Sequence, residues 1–283
     1  MRYLTAMSLM LVACTVRAEG PEEYGDVHWN RDAAAAQTKA KASGKPILLL
    51  FTEVPGCSTV KGYAKRVLKD DLLVEAAETL FVPLVIHNNT DKGTPDRALL
   101  DRFGEAAWNN PVLYVVDADL KPLVPRLAGD YTPVGTAATM VAGLEKAGRP
   151  VPTWLRAKSA RADGAAVYQM YCFWSGEAAL GGLPGVVSTS PGFHDGAEVV
   201  AVRFDPRVTD ADTLAKRAGV KRVDAKPEAV RPAPNDRNYR LKRSPLASLP
   251  LDETQQTRVN AALAAGADPM PFLSPRQRAQ ASR

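Results

Sequence analysis

Two side-chain types that carry much of enzyme chemistry are scarce in this chain of 283 residues. It has three cysteines (Cys14, Cys57, Cys172) and three histidines (His28, His87, His194). No Cys-x-x-Cys pair occurs, which excludes a zinc knuckle, a haem attachment site and a dithiol redox motif. The histidines stand singly, so no metal or other cofactor is expected. A Walker-type phosphate loop is missing too, because Gly44-Lys45 runs into Pro46 and lacks the upstream glycine. Past residue 20 nothing approaches the ~18 apolar residues of a membrane span. The charge is weakly basic, 36 Lys+Arg against 31 Asp+Glu for a net +5, with both signs interleaved. The nearest thing to a basic cluster, Arg237, Arg240, Lys242 and Arg243, reads as a solvated face. Nucleic acid is not an expected partner.

What is present describes an exported protein of two domains. Hydrophobic residues make up 46% and charged residues 24%, enough to bury a sizeable core in a chain longer than one ordinary domain. Arg2 followed by the apolar run Leu4 to Ala13 reads as a secretory signal. Two cleavage rules compete. Val16-Arg17-Ala18 fits signal peptidase and makes the signal residues 1–18. Leu11-Val12-Ala13-Cys14 resembles a bacterial lipobox, which shortens the signal to 1–13 and leaves Cys14 lipidated, anchoring the chain to a membrane. Either route places the protein outside the cytoplasm, in the periplasm or as an outer-membrane lipoprotein of a bacterium. After ordinary cleavage, Cys57 and Cys172 remain in a compartment that allows disulfides.

Residues 24–150 alternate helix and strand signals, which argues α/β. Asn30 or Asp32 caps an alanine-rich helix to about Ser43. Pro46 to Phe51 is a continuous apolar run, as in a strand buried on both faces. Leu80 to Ile86 and Val112 to Val116 are further buried strands, followed by a short strand near Leu123 to Leu127 and a helix over Val134 to Ala147. Between the first strand and its helix lies Glu53-Val54-Pro55-Gly56-Cys57. A thiol opening a helix faces unpaired N–H groups and the positive end of the helix dipole, which stabilise its thiolate.

This layout resembles the thioredoxin fold, with Cys57 at the position of the nucleophilic cysteine. Asn110-Pro111 sits where that family places a cis-proline beside the active site, which makes Pro111 a substrate contact. Val54-Pro55-Gly56-Cys57 is similar to a bacterial thioredoxin-like group that holds selenocysteine or cysteine there and couples this domain to a second one. Val60 occupies the place of the resolving cysteine, so Cys57 has no partner in its own loop.

Beyond the proline-punctuated joint Gly148 to Pro152, residues 155–283 change character. A helical or irregular stretch carrying Arg156, Lys158 and Arg161 leads into a strand at Val167 to Tyr171 and a short helix from Cys172 to Leu183. Val186 to Thr189 is a strand, Gly192 to Gly196 a turn, and Glu198 to Phe204 an alternating strand. A helix capped by Thr209 or Asp210 runs to Ala218. Strand-helix-strand-strand-helix is a ferredoxin-like α+β order. A Pro- and Arg-rich tail, Ala225 to Pro234, precedes a helix from Thr254 to Ala265, with Met270, Phe272 and Leu273 packing back.

Cys172-Phe173-Trp174 with Glu177 five residues after the cysteine resembles the signature of the peptide methionine sulfoxide reductases of the MsrA family. Leu183 to Val187 and Ala197 to Val200 match its following segments. The resemblance implies Cys172 as nucleophile, Phe173 and Trp174 as the methyl pocket, and Glu177 as proton donor. Asn235-Asp236 and Tyr239 resemble the later site residues, with altered spacing. Tyr171 replaces a glycine, Phe193 replaces a tyrosine, and no cysteine follows Cys172 to resolve its sulfenic acid.

Three functions stay open at this stage. The chain is an exported thiol oxidoreductase that reduces a sulfoxide at Cys172 and uses Cys57 as the resolving or relay thiol. Alternatively, it is a monothiol oxidoreductase at Cys57 with an inactive second domain, or a non-catalytic envelope binding protein. The implied partners are an oxidised protein or peptide and an outside thiol reductant.

Overall fold

The computed structural model describes residues 20–282. The export signal and Cys14 lie outside the described residues. The protein is α/β, with two mixed layers of helix and sheet, each built around its own sheet. In the first, Asp32 caps α1 (Ala33–Ser43) by accepting from the N–H groups of Ala34 and Ala35, and the helix feeds β1 (Ile47–Thr52). Then come α2 (Ser58–Arg66), α3 (Asp71–Leu80), β2 (Val82–His87), α4 (Pro95–Phe103), β3 (Val112–Val116), β4 (Leu127–Ala128) and α5 (Pro133–Lys146). The strand order is β2-β1-β3-β4, with β1 parallel to β2 and antiparallel to β3.

The apolar run of β1 is continuous because both faces are covered. Ile47, Leu49 and Phe51 pack with Ala36, Ala40 and Leu100 on one face. Leu48 and Leu50 pack with Val67, Leu73, Met140 and Leu144 on the other. The short strand expected near Leu123 shrinks to Leu127–Ala128, since Pro122 and Pro125 have no N–H to give a ladder.

After α6 (Thr153–Lys158), the second sheet is built from β5 (Gly164–Gln169), α7 (Phe173–Gly181), β6 (Val186–His194), β7 (Ala197–Phe204), α8 (Ala211–Ala218), β8 (Lys221–Val223) and β9 (Arg231–Pro232). Its order, β8-β5-β7-β6-β9, is antiparallel at every pairing. Without the edge strand β9, this is the ferredoxin-like order. Ala166, Tyr168, Val200 and Val202 face α7 and α8, and Val167, Val199 and Ala201 face Val230. The turn expected over Gly192 to Gly196 is tighter than that. β6 continues to His194, and the chain reverses at Asp195 and Gly196, both at positive φ, as a two-residue hairpin demands. The strand expected over Val167 to Tyr171 ends at Gln169, with one more ladder bond beyond it, from Met170 N–H to the Glu198 carbonyl at 2.8 Å.

The tail forms α9 (Tyr239–Lys242), α10 (Glu253–Ala264) and α11 (Pro275–Ala281). Leu241, Leu246, Leu251, Val259 and Leu273 gather in one cluster, with Phe272 against it, whereas Met270 stays exposed. Arg258 of α10 is half-buried and, among the described residues, pairs with no carboxylate. It donates to the carbonyls of Gly181, Leu183 and Val186, closing the C-terminal end of α7, and burial lowers its pKa to about 10. Between the two sheets, Lys158 Nζ reaches Asp70 at 2.7 Å and Asp252 at 3.1 Å. Arg276 donates its N–H to buried Glu75 and its guanidinium to Glu78.

Candidate functional site

The loop after β1 is clamped. Val54 N donates to Asn89 Oδ1 and Asn89 Nδ2 donates to the Val54 carbonyl, each at 3.1 Å. Gly56 N donates to Glu23 Oε1 at 2.8 Å. Cys57 then takes the N-cap position of α2 in an extended conformation, and no side chain caps that end. The first-turn N–H groups of α2 are thus left for whatever charge sits at the cap. Cys57 is an exposed free thiol, and its Sγ lies 3.7 Å from Asn110 Oδ1. Val60, in the resolving position, is buried in the core.

The cis-proline expectation needs correction. The cis bond among the described residues is Val54–Pro55, not Asn110–Pro111. Pro111 is buried at the start of β3, so the substrate-contact role assigned to it has no exposed side chain to perform it. Asn110 is the residue of that loop that meets the thiol.

Around the second thiol the resemblance-derived residues do converge, with one exception. Cys172 is the N-cap of α7, half-buried and free. Phe173 is buried, its ring edge-on to Phe193 at 5.6 Å and to Trp174 at 6.3 Å. Trp174 Nε1 donates to Asp236 Oδ1 at 3.1 Å, and its ring stacks on Tyr239 at 4.0 Å and 23°. Arg243 covers the Tyr239 ring at 3.7 Å, so the basic group read as a solvated face is partly an aromatic stack. Arg237 likewise turns inward, to the Thr189 carbonyl and to Glu253.

Glu177 is wholly buried. Its carboxyl accepts from Asn238 N at 2.9 Å and from Thr189 Oγ1 at 3.4 Å. Burial lifts its pKa to about 7, against the lowering effect of these hydrogen bonds and Arg237. That leaves a carboxyl holding a proton near neutrality, as a general acid must.

The exception concerns this acid and the thiol. Cys172 opens into a cleft of about 360 Å³ between α7 and α10, lined by Trp174, Ser175, Ala178, Arg240 and Ala261. Ser175 and Ala178 lie on one face of α7, whereas Phe173, Gly176, Glu177 and Leu180 form its buried face. Glu177 is not among the residues of the thiol's cleft. The carboxyl group closest along the chain's hydrogen bonds to Cys172 is instead Glu198, whose Oε2 accepts the Phe173 N–H at 2.8 Å, so one of the free N–H groups of the first turn of α7 is already taken. Sequence reasoning assigned no role to Asn110, Glu198 or Asn238. Two of them carried a signal: Asn110 as the residue before Pro111, and Glu198 in the matched Ala197-Glu198-Val199-Val200 segment.

Among the described residues, no hydrogen-bond partner of the Cys57 loop lines the cleft of Cys172. The residues bonded around Cys57 all lie before residue 111, and those lining the cleft of Cys172 all lie after residue 171. Among the described residues no group of three or more His, Cys, Asp or Glu side chains is arranged to hold a metal ion, and no helix is long and apolar enough to cross a membrane.

No protein-family model matches the chain, and no curated protein matches it. Among solved structures it is similar in part to a DsbH oxidoreductase, at 19% identity and a TM-score of 0.32, over 41% of this chain and 81% of that one. A likeness of that depth says nothing of activity.

Proposed function

We propose that this chain is an exported thiol oxidoreductase whose nucleophile is Cys57. One observation carries the reading: an exposed free thiol occupies the N-cap position of a nine-residue helix whose end no side chain caps, directly after a buried central strand. The thiolate attacks one sulfur of a substrate disulfide, the S–S bond breaks, the partner thiolate leaves, and a mixed disulfide on Cys57 forms. With Val60 in place of a resolver, an outside dithiol reductant opens that bond: one of its thiolates takes the Cys57 sulfur and releases the second substrate thiolate, and its other thiol then displaces the Cys57 thiolate and closes the reductant's own disulfide. Two electrons thus pass from reductant to substrate.

A second reading, peptide methionine sulfoxide reduction at Cys172, is supported by the Phe173–Trp174–Tyr239 cluster next to that thiol and by Glu177 on the same helix, whose burial raises its pKa to about 7. In it, Cys172 attacks the sulfoxide sulfur, the thioether leaves, and the oxygen stays on Cys172 as a sulfenic acid. A further thiol then condenses with that acid and releases water. The separation of the two thiol environments favours an outside thiol over Cys57 for that step.

The experiment treats the reduced protein, Cys57→Ser and Cys172→Ser separately with a peptide disulfide and with a methionine-sulfoxide peptide, without added reductant. Protein mass and product are read after one turnover. A peptide adduct on wild type and Cys172→Ser, absent from Cys57→Ser, is the expected result. Methionine formed only where Cys172 is intact establishes the second reading. An adduct that survives Cys57→Ser overturns the first.

A further inference from the structure

We propose that the cleft of Cys172 is a binding site for small disulfides that carry a carboxylate, with Arg240 receiving the carboxylate while Cys172 takes the sulfur. The inference goes beyond both readings above and rests on neither. It starts from what lines the cleft. Cys172 and Arg240 are its titratable side chains, and the rest of its wall is Trp174, Ser175 and alanines. Arg240 is therefore the one fixed charge that an entering molecule meets there. It is also unspent. Arg237 is paired with Glu253, whereas Arg240 is exposed and, among the described residues, pairs with no carboxylate. Buried Asn260 of α10 accepts the N–H groups of Arg240 and Leu241 at 2.9 and 3.1 Å, which fixes the backbone of Arg240 against the cleft and leaves its guanidinium free. The guanidinium carbon lies 5.8 Å from the centre of the Tyr239 ring, the ring on which Trp174 stacks. The nearby carboxylates are engaged outside the cleft, Asp236 with the Trp174 Nε1–H and Glu198 with the Phe173 N–H.

The cleft thus offers a nucleophile without an acid. Glu177, the carboxyl suited to giving a proton, lies on the buried face of α7 and does not line the cleft. Thiol–disulfide exchange needs no proton donor, because the displaced sulfur leaves as thiolate. Cys172 in its thiolate form takes one sulfur of the disulfide, the S–S bond breaks, the other half departs as thiolate, and a mixed disulfide remains on Cys172. One disulfide is exchanged for another, so no outside oxidant or reductant enters the step. The cleft's volume, about 360 Å³, lies at the lower end of the ~300–1,000 Å³ of small-molecule sites. Its alanine walls carry no polar side-chain group, so recognition falls to Cys172 and Arg240. A guanidinium meets a carboxylate with two parallel N–H donors, which turns the carboxylate half of the ligand toward Arg240 and leaves the S–S bond for the thiol.

The test exposes the reduced full chain to two disulfides of the same short aliphatic build and opposite charge, dithiodipropionate and cystamine. The adduct is followed by mass on the proteolytic fragment that carries Cys172. Wild type should favour the dicarboxylate, by a margin that shrinks as salt rises. Arg240→Gln should lower the dithiodipropionate-to-cystamine rate ratio about tenfold, as expected for loss of one charge-assisted pair, and Arg240→Lys should retain most of it. Both variants keep the backbone bonds to Asn260. Ala265→Glu, at an exposed position of the same cleft, should lower the ratio as well. A ratio in Arg240→Gln equal to that of wild type, or a wild type that takes both disulfides at one rate, overturns the proposal. So does the absence of any adduct on Cys172, an outcome that leaves the Cys57 reading standing.

Discussion

The buried carboxyl of Glu177 receives the backbone N–H of Asn238 at 2.9 Å, across 61 residues of chain. Asn238 adopts a left-handed conformation to make that bond, one that asparagine tolerates better than most residues. The bond thereby fixes the turn that sets Tyr239 on Trp174, and it joins the carboxyl to the aromatic cluster although no side chain bridges the two.

Stability should fall as pH rises past this group. Burial lifts the pKa of Glu177 from 4.5 to about 7, so between these values the folded protein holds a proton that the unfolded chain has released, and raising the pH through that window destabilises the fold. Glu177→Gln removes the effect. Its melting temperature should exceed that of wild type at pH 8, by the equivalent of about 3 kcal/mol, and match it near pH 4. Thermal melts across the pH range check this.

Removing the Tyr239 ring should free Trp174. Tyr239→Ala deletes a stack worth about 0.5–1.5 kcal/mol beyond area burial. The expected outcome is a lower melting temperature of that order and a red-shifted indole emission as Trp174 gains water.

Gly143 of α5 faces the first sheet so closely that a Cβ there would meet Val115 Cγ1 at 2.4 Å. Gly143→Ala should destabilise by about 1–3 kcal/mol through overpacking, measured by urea unfolding, while leaving the indole emission of Trp108 in place.

Trp108→Gly should raise stability, because Trp108 holds φ 61° in the loop before β3. Glycine accepts φ 61° without the strain, about 1–3 kcal/mol, of a bulky residue held there; the greater freedom glycine has in the unfolded chain offsets part of the gain. A melting temperature below that of wild type would show that the loop is not strained.

Much of the fold is legible locally. Asp32 before an alanine run, Asp210 before Ala211, and the uninterrupted apolar stretch of β1 each announce their element because capping and two-sided burial act over a few residues. The capping box of Ser274 with Gln277 was equally local and marks a helix, α11, that the apolar pattern alone did not reveal. The site was legible where it is contiguous, as in Cys172, Phe173 and Trp174, and at the distant residues that the resemblance itself pointed to, Asp236 and Tyr239. Asn110 meets Cys57 across 53 residues and Glu198 meets Phe173 across 25. Such pairings depend on sheet order and register, which no local pattern encodes. The same holds for the division of α7, where Glu177 turns inward and the thiol opens outward because α10 packs on one face and the sheet on the other.

Lys158 gives the joint between the two sheets a built-in asymmetry. Burial works against its ammonium, yet Asp252 and Asp70 outweigh that and raise its pKa, so the charge persists to strongly alkaline pH. One cation serves two anions. Removing either aspartate leaves an intact ion pair, whereas removing the lysine leaves two carboxylates facing each other with nothing between them. The hinge is thus forgiving toward loss of acid and repulsive on loss of base, so a single neutralised ammonium converts a latch into a spring.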